Sequence, residues 1–249
     1  MKKIYLGLLV VLATFFTSCE FSETIYINDD GSGKVSYYLD GSELMQMMGS
    51  QMTGGREESI DSMISFKDIF RKGNLNLSKL SSDDQKKIKS LEKLNMHMVM
   101  DTKKSKFTFD IFANFKSIRD MQSMFGAMNS LNKLAQDSKI MGSKNPLSSI
   151  DPDKVTKMEY SFNNNVFKRS FQVLDKKLLD SLKQNMGQAE MLFAASTYKL
   201  NYHFPKKIKS VSVKDAVIGE DGKSFTVKIN VMEFVNNPEI LNLEVELEK

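Results

Sequence analysis

The sequence predicts an α+β fold in which an antiparallel β-sheet is built from repeated hairpin-helix (ββα) units, with the helices packed on one face. Three observations predict it. Apolar and polar residues alternate at period two in many short segments, as expected for strands with one dry and one wet face. Turn residues such as Asp-Gly and Asn-Asn separate consecutive segments of this kind. Amphipathic stretches of helical period follow the hairpins and supply the layer that covers the dry face.

The first unit runs from Glu23 to Met48. Thr24-Ile25-Tyr26-Ile27 is a strand, Asn28-Asp29-Asp30-Gly31-Ser32-Gly33 a turn, and Lys34 to Asp40 the return strand, with Val35, Tyr37 and Leu39 on one face. Ser42 is placed as the N-cap of a short helix beginning Glu43-Leu44-Met45. The segment 49–92 reads as a helical insertion with a mobile polar loop. Gly49 to Ser59 is that loop, Ile60 to Arg71 a helix ending at Gly73, and Ser82-Asp83-Asp84-Gln85 opens a further helix carrying Ile88 and Leu91 inward.

The second unit runs from Leu94 to Gln136. Leu94, Met96, Met98 and Met100 alternate with Asn95, His97 and Val99, and Phe107, Phe109, Ile111 and Ala113 line the return strand. A long amphipathic helix follows, with Ile118, Met121, Phe125, Met128 and Leu131 in one stripe. Ser138 to Asp153 is a loop. The third unit places Met158, Tyr160 and Phe162 on a strand, Asn163-Asn164-Asn165 in a turn, Phe167, Phe171 and Val173 on the return, and a helix over Asp175 to Met186. The remainder reads as strand almost throughout. Tyr198, Leu200, Tyr202 and Phe204 alternate, Glu220-Asp221-Gly222-Lys223 turns, Phe225, Val227, Ile229 and Val231 follow, and Leu241, Leu243, Val245 and Leu247 close the chain.

The start of the chain has a different character. Met1-Lys2-Lys3 is followed by an apolar run from Ile4 to Phe16 and then Thr17-Ser18-Cys19, the pattern of an export signal. The run is too short to span a bilayer, which takes about 20 apolar residues. Cys19 is the single cysteine of the 249 residues, so no internal disulfide can form and stability must come from packing. Phe16-Thr17-Ser18-Cys19 resembles the lipobox of bacterial lipoproteins, with Phe16 where that family prefers Leu. The resemblance implies residues 1–18 as a signal peptide, 19–249 as the mature α+β domain, and a lipid such as palmitate carried through Cys19. Glu20 stands where an aspartate can retain such proteins at the inner membrane, so the expected place is the cell envelope, lipid-anchored, at the outer membrane where the cell has one. Stable anchoring takes more than one acyl chain, and a lipoprotein cysteine usually carries three.

Charge argues against a nucleic-acid partner. The formal net charge is +4, and loss of Lys2 and Lys3 with the signal leaves 33 basic against 31 acidic side chains, without a basic stripe. No catalytic constellation emerges. His97 and His203, the only histidines, each alternate away from the apolar face of a strand. Neither a G-x-S-x-G elbow nor an H-E-x-x-H pair occurs. Gly219-Glu220-Asp221-Gly222-Lys223-Ser224 is too short for a phosphate loop and precedes a strand. The Asn28–Gly33 segment is better read as a hairpin turn than as a calcium loop, which needs a distal bidentate acid. The clusters Met45-Gln46-Met47-Met48, Met96-His97-Met98-Val99-Met100 and Met121-Gln122-Ser123-Met124 resemble copper-handling methionine motifs. Strand geometry puts Met96, Met98 and Met100 on the core side and His97 on the other, which favours core filler or a pliable apolar pocket. Catalytic, metal and cofactor sites are therefore expected to be none.

Glu23-Thr24-Ile25-Tyr26-Ile27 with Asp30-Gly31-Ser32-Gly33 near the start, and Tyr198 to Pro205 with Asp221-Gly222-Lys223 and a final strand near the end, resemble an LppM-type lipoprotein domain. The resemblance implies an α+β envelope lipoprotein without known catalysis, with Cys19 as the transferred residue. The expected function is a non-enzymatic, membrane-anchored binding or scaffold module, holding a lipid or other apolar ligand or meeting an envelope protein. The alternatives are a structural or adhesive surface protein and a carboxylate-dependent hydrolase of envelope glycans.

Overall fold

The computed structural model describes residues 19–72, 82–124, 152–187 and 189–249. The signal segment 1–18, the Phe125, Met128 and Leu131 part of the expected amphipathic stripe, and most of the 138–153 loop lie outside them.

The first hairpin forms as its alternation dictates. Strand β1 (Glu20–Ile27) pairs antiparallel with β2 (Gly33–Asp40), in a register that sets Ile25 opposite Val35. Gly31 takes a φ of +76° at the turn, a conformation glycine adopts without steric cost. Gly33 is required for a second reason: a Cβ there would sit 1.9 Å from the Tyr26 carbonyl and 2.5 Å from the Phe115 ring. Helix α1 (Ser42–Met52) follows. Its N-cap is Gly41 rather than Ser42, because the Ser42 hydroxyl is engaged by the Phe107 N–H and is not available to cap the helix.

The largest departure comes next. Ser59–Ser65 is a strand, β3, and only Phe66–Lys72 is helical (α2). The SIDSMIS segment satisfies either period, since Ile60, Met63 and Ile64 suit a helix while Ile60, Ser62 and Ile64 suit a strand. The open edge of β4 (Asn95–Asp101) decides it, pairing Ile64 with Met96 and Ile60 with Met100. Helix α3 (Ser82–Leu91) delivers Leu91 to the core as expected. Strand β5 (Lys106–Phe115) leads into a helical run over 118–124.

A short α4 (Pro152–Val155) introduces β6 (Thr156–Asn163) and β7 (Val166–Val173). Their turn is built on consecutive left-handed asparagines, Asn164 at φ +53° and Asn165 at +61°, which suits a two-residue hairpin. Asp175 caps α5 (Lys176–Gln184) by accepting from the Leu178 N–H at 2.9 Å. Then come α6 (Ala189–Ala195), β8 (Thr197–His203), β9 (Ile208–Val211), β10 (Val217–Ile218) and β11 (Ser224–Asn230). Val231 opens helix α7 (Val231–Asn236) instead of ending a strand, because Asn230 caps by accepting from the Met232 N–H. Leu241 closes a 3₁₀ turn (Pro238–Leu241) before β12 (Leu243–Leu247).

The class is α+β, but the strands do not form one sheet. Strands sort into an eight-stranded sheet, ordered β10-β11-β8-β1-β2-β5-β4-β3, and a four-stranded sheet, ordered β6-β7-β12-β9. The third hairpin thus leaves the sheet of the first two. All neighbours are antiparallel except β1 and β8, which run parallel.

Among the described residues helices cover only part of the dry face. The second sheet packs there: the Phe167 ring lies 5.5 Å from Tyr202 and 5.6 Å from Phe204 of the first. One core cluster joins Ile25, Val35, Leu200 and Val227 of the large sheet to Phe167, Val245 and Leu247 of the small one. Ile118, Met121 and Met124 of the 118–124 run complete the cluster.

Candidate functional site

Cys19 stands immediately before β1, and its carbonyl accepts from the Thr197 N–H of β8 at 3.0 Å. The side chain is buried. Burial pushes the thiol pKa up, with the nearby carboxylates of Glu43 and Asp40 adding to it, while the Leu44 N–H and the Ser196 hydroxyl pull the other way. Inside the folded body this thiol is a poor nucleophile, since the thiolate is the reactive form. Two helices flank it. After Asp40, which pairs with Glu20, the chain passes through Gly41 into α1, and α6 leads through Ser196 to Thr197, which also pairs with Glu20. Among the described residues no helix is long and apolar enough to cross a membrane.

A second constellation lies between the sheets. Glu23 occupies the inward position of β1 between Phe21 and Ile25 and is fully buried. Its Oε1 accepts from the hydroxyls of Tyr160 (2.8 Å) and Tyr202, and its Oε2 accepts from the Tyr198 hydroxyl at 2.8 Å. Arg169 of β7, 1% exposed, brings Nη2 within 3.6 Å of Oε2 and donates from Nη1 to the Leu241 carbonyl at 3.0 Å. Its Nε has no hydrogen-bond partner among the described residues. Burial and the Glu23 charge push the hydroxyls of Tyr160, Tyr198 and Tyr202 well above the usual phenol range, so all three remain donors. Burial acts most strongly on Arg169 and would lower its pKa, but the Glu23 charge together with Tyr202, Tyr160 and Tyr198 outweighs it and raises the guanidinium above its ordinary value.

Glu23 and Arg169 stand out in no sequence motif. Their signal was present: each sits at an inward-pointing position, flanked at two residues by Phe21 and Ile25 or by Phe167 and Phe171. Chemically the cluster is a buried ion pair that ties β1 and β8 of one sheet to β6 and β7 of the other. Glu23 lines none of the three described cavities, while its partner Arg169 lines one of them.

Two of those cavities are mainly polar, and the one Arg169 lines is more apolar, with Val211 and Leu243 in its wall. One of about 420 Å³ lies over β7, β12 and β9, where Lys168 pairs with Glu244 at 2.7 Å. One of about 310 Å³ lies between α1 and the β4–β5 turn, and one of about 320 Å³ between the Asn28 and Asn163 turns. Met96, Met98 and Met100 line none of the three; they are half-buried opposite Ile111, Phe109 and Phe107 of β5. His97 bonds Asp61 at 2.8 Å on the other face, and His203 stacks on Tyr26 with ring centroids 4.2 Å apart. Asp30 spends its carboxylate on the turn, accepting from the Ser32 N–H at 2.9 Å.

No family model matches the chain and no curated protein matches it. Among solved structures, the NMR structure of the folded domain of the Mycobacterium tuberculosis LppM protein is similar over 92% of this chain and 91% of that one, at 9% identity and a TM-score of 0.35. The likeness is weak and transfers no residue role.

Proposed function

We propose that the chain is a lipid-anchored envelope protein whose body is a non-enzymatic binding or scaffold module. The observation that carries the reading is the position of Cys19. The only thiol of the chain follows a charged start and a short apolar run, and it is the last residue before the first strand. An acylated Cys19 would hold the body at the bilayer with no linker between lipid and sheet.

The burial of the thiol adds an order of events. Acylation precedes packing of α1 and α6 around Cys19, and in the acylated chain that packing leaves the lipid a way out to the bilayer, as expected of a chain modified while it is being exported. The buried Glu23 carboxylate, held by three phenols and Arg169, fits a structural lock better than a reacting site, which supports a body that binds or scaffolds. Replacing Cys19 with Ser tests the anchor. The variant is expected in the soluble fraction with its fold intact, and retention of Cys19→Ser in membranes would refute the reading. Native mass spectrometry of the purified chain tests the module, with a retained apolar ligand or envelope protein as the expected finding.

A further inference from the structure

The end of the large sheet that carries Cys19 is closed by two helices. Helix α1 lies across the ends of β2, β5 and β4: Gly41 donates to the Phe107 carbonyl at its start, and beyond its far end the Glu58 N–H donates to the Thr102 hydroxyl of the β4–β5 turn. Helix α6 lies across the ends of β1, β8 and β11. There Phe193 meets Phe21 with centroids 6.1 Å apart, and the Ala194 carbonyl accepts from the Asn230 amide. The two most exposed large apolar side chains among the described residues are Met191 at 78% and Met47 at 74%, one on each of these helices. Among the described residues nothing in the packing requires them to be apolar.

We infer that Met47 and Met191 form a membrane-contacting rim around Cys19, so that the body stands end-on and sinks this rim into the bilayer interface. The inference rests on the anchoring reading above. The occupant is fixed by where the chain outside the described residues meets the body. Residues 4–16 are the apolar run, and three residues later Cys19 is hydrogen-bonded into the sheet. Attachment through either brings the α1–α6 end to the lipid surface and no other end.

Unbranched thioether side chains suit a fluid, irregular contact. Apolar groups at this boundary are buried about 5–10 Å deep. The geometry also sets what is presented outward. Eight residues of β1 at about 3.3 Å each place the Asn28 turn about 26 Å from Cys19.

The test uses the full chain, extracted from membranes and reconstituted into phosphatidylcholine vesicles. Acylation consumes Cys19, so the single-cysteine positions M47C, M191C, M63C and D29C each accept one environment-sensitive fluorophore. Labels at 47 and 191 are expected to blue-shift and to be quenched by aqueous iodide about fivefold less than labels at 63 and 29. A chain that floats with the vesicles but shows equal quenching at all four positions overturns this inference and leaves the anchor standing. A chain that does not float overturns both.

Discussion

Glu23→Gln is the sharpest probe of what holds the two sheets together. The substitution keeps the side-chain shape and removes the charge. At the observed separation of 3.6 Å, the attraction between Glu23 and Arg169 comes to about 5 kcal/mol at an effective dielectric of about 20. Removing one member of a buried pair strands the other and costs about 3–5 kcal/mol. The amide also gives weaker acceptance to three phenols than a carboxylate does. For a chain of this size each kcal/mol moves the melting point by about 2–4 °C, so Glu23→Gln is expected to melt about 6–20 °C lower.

The assay is built into the molecule. The chain has no Trp and seven Tyr, three of which donate to Glu23. Near-ultraviolet circular dichroism during heating therefore reports the cluster directly. Adding Arg169→Met removes the stranded charge, and the double variant is expected to recover at least about 2 kcal/mol relative to the sum of the singles. A Glu23→Gln melting point within about 2 °C of the parent, or strict additivity in the cycle, would refute the idea that this pair clamps the sheets.

Phe167→Ala should cost about 3–5 kcal/mol in denaturant unfolding, because the ring is fully buried against Tyr202, Phe204 and Tyr160 of both sheets; a loss under about 1 kcal/mol would show that the sheets do not share one core. His203 predicts an acid dependence. Burial holds its imidazole below the ordinary value of 6.5, so the unfolded chain takes up the proton first and stability, full above about pH 6.5, falls as the pH drops below it. Melting points at pH 7.5 and 5.5 should therefore differ less in His203→Asn than in the parent, and an equal difference would reject the assignment.

Much of the large sheet was legible because one face of its strands is dry. Val35, Ala113, Leu200, Tyr202, Phe225 and Val227 alternate in sequence and are buried in the structure. The turns at Gly31, Asn164-Asn165 and Gly222 were equally plain, since each takes a positive φ that few residues tolerate. Long-range pairing was not legible. Nothing local in Thr197–His203 tells it to run parallel to β1, and nothing in the third hairpin tells it to leave the first sheet. Ile60–Ile64 carried both periods, and the free edge of β4 chose between them.

The Glu23–Arg169 pair was missed for a related reason. Alternation puts each residue inward on its own strand, but their meeting depends on the packing of two sheets from opposite ends of the chain. Cys19 was read from its flanks alone, and its burial between α1 and α6 follows only from the fold.

The central claim is that Cys19 ties this α+β body to a bilayer. The intact mass of the protein extracted from its native membranes tests it most directly. A mass equal to residues 19–249 plus a diacylglyceryl thioether and an acylated amino terminus is the predicted result, with the added mass localised to the peptide that begins at Cys19. A membrane-extracted chain with a free, unmodified Cys19 thiol would contradict it.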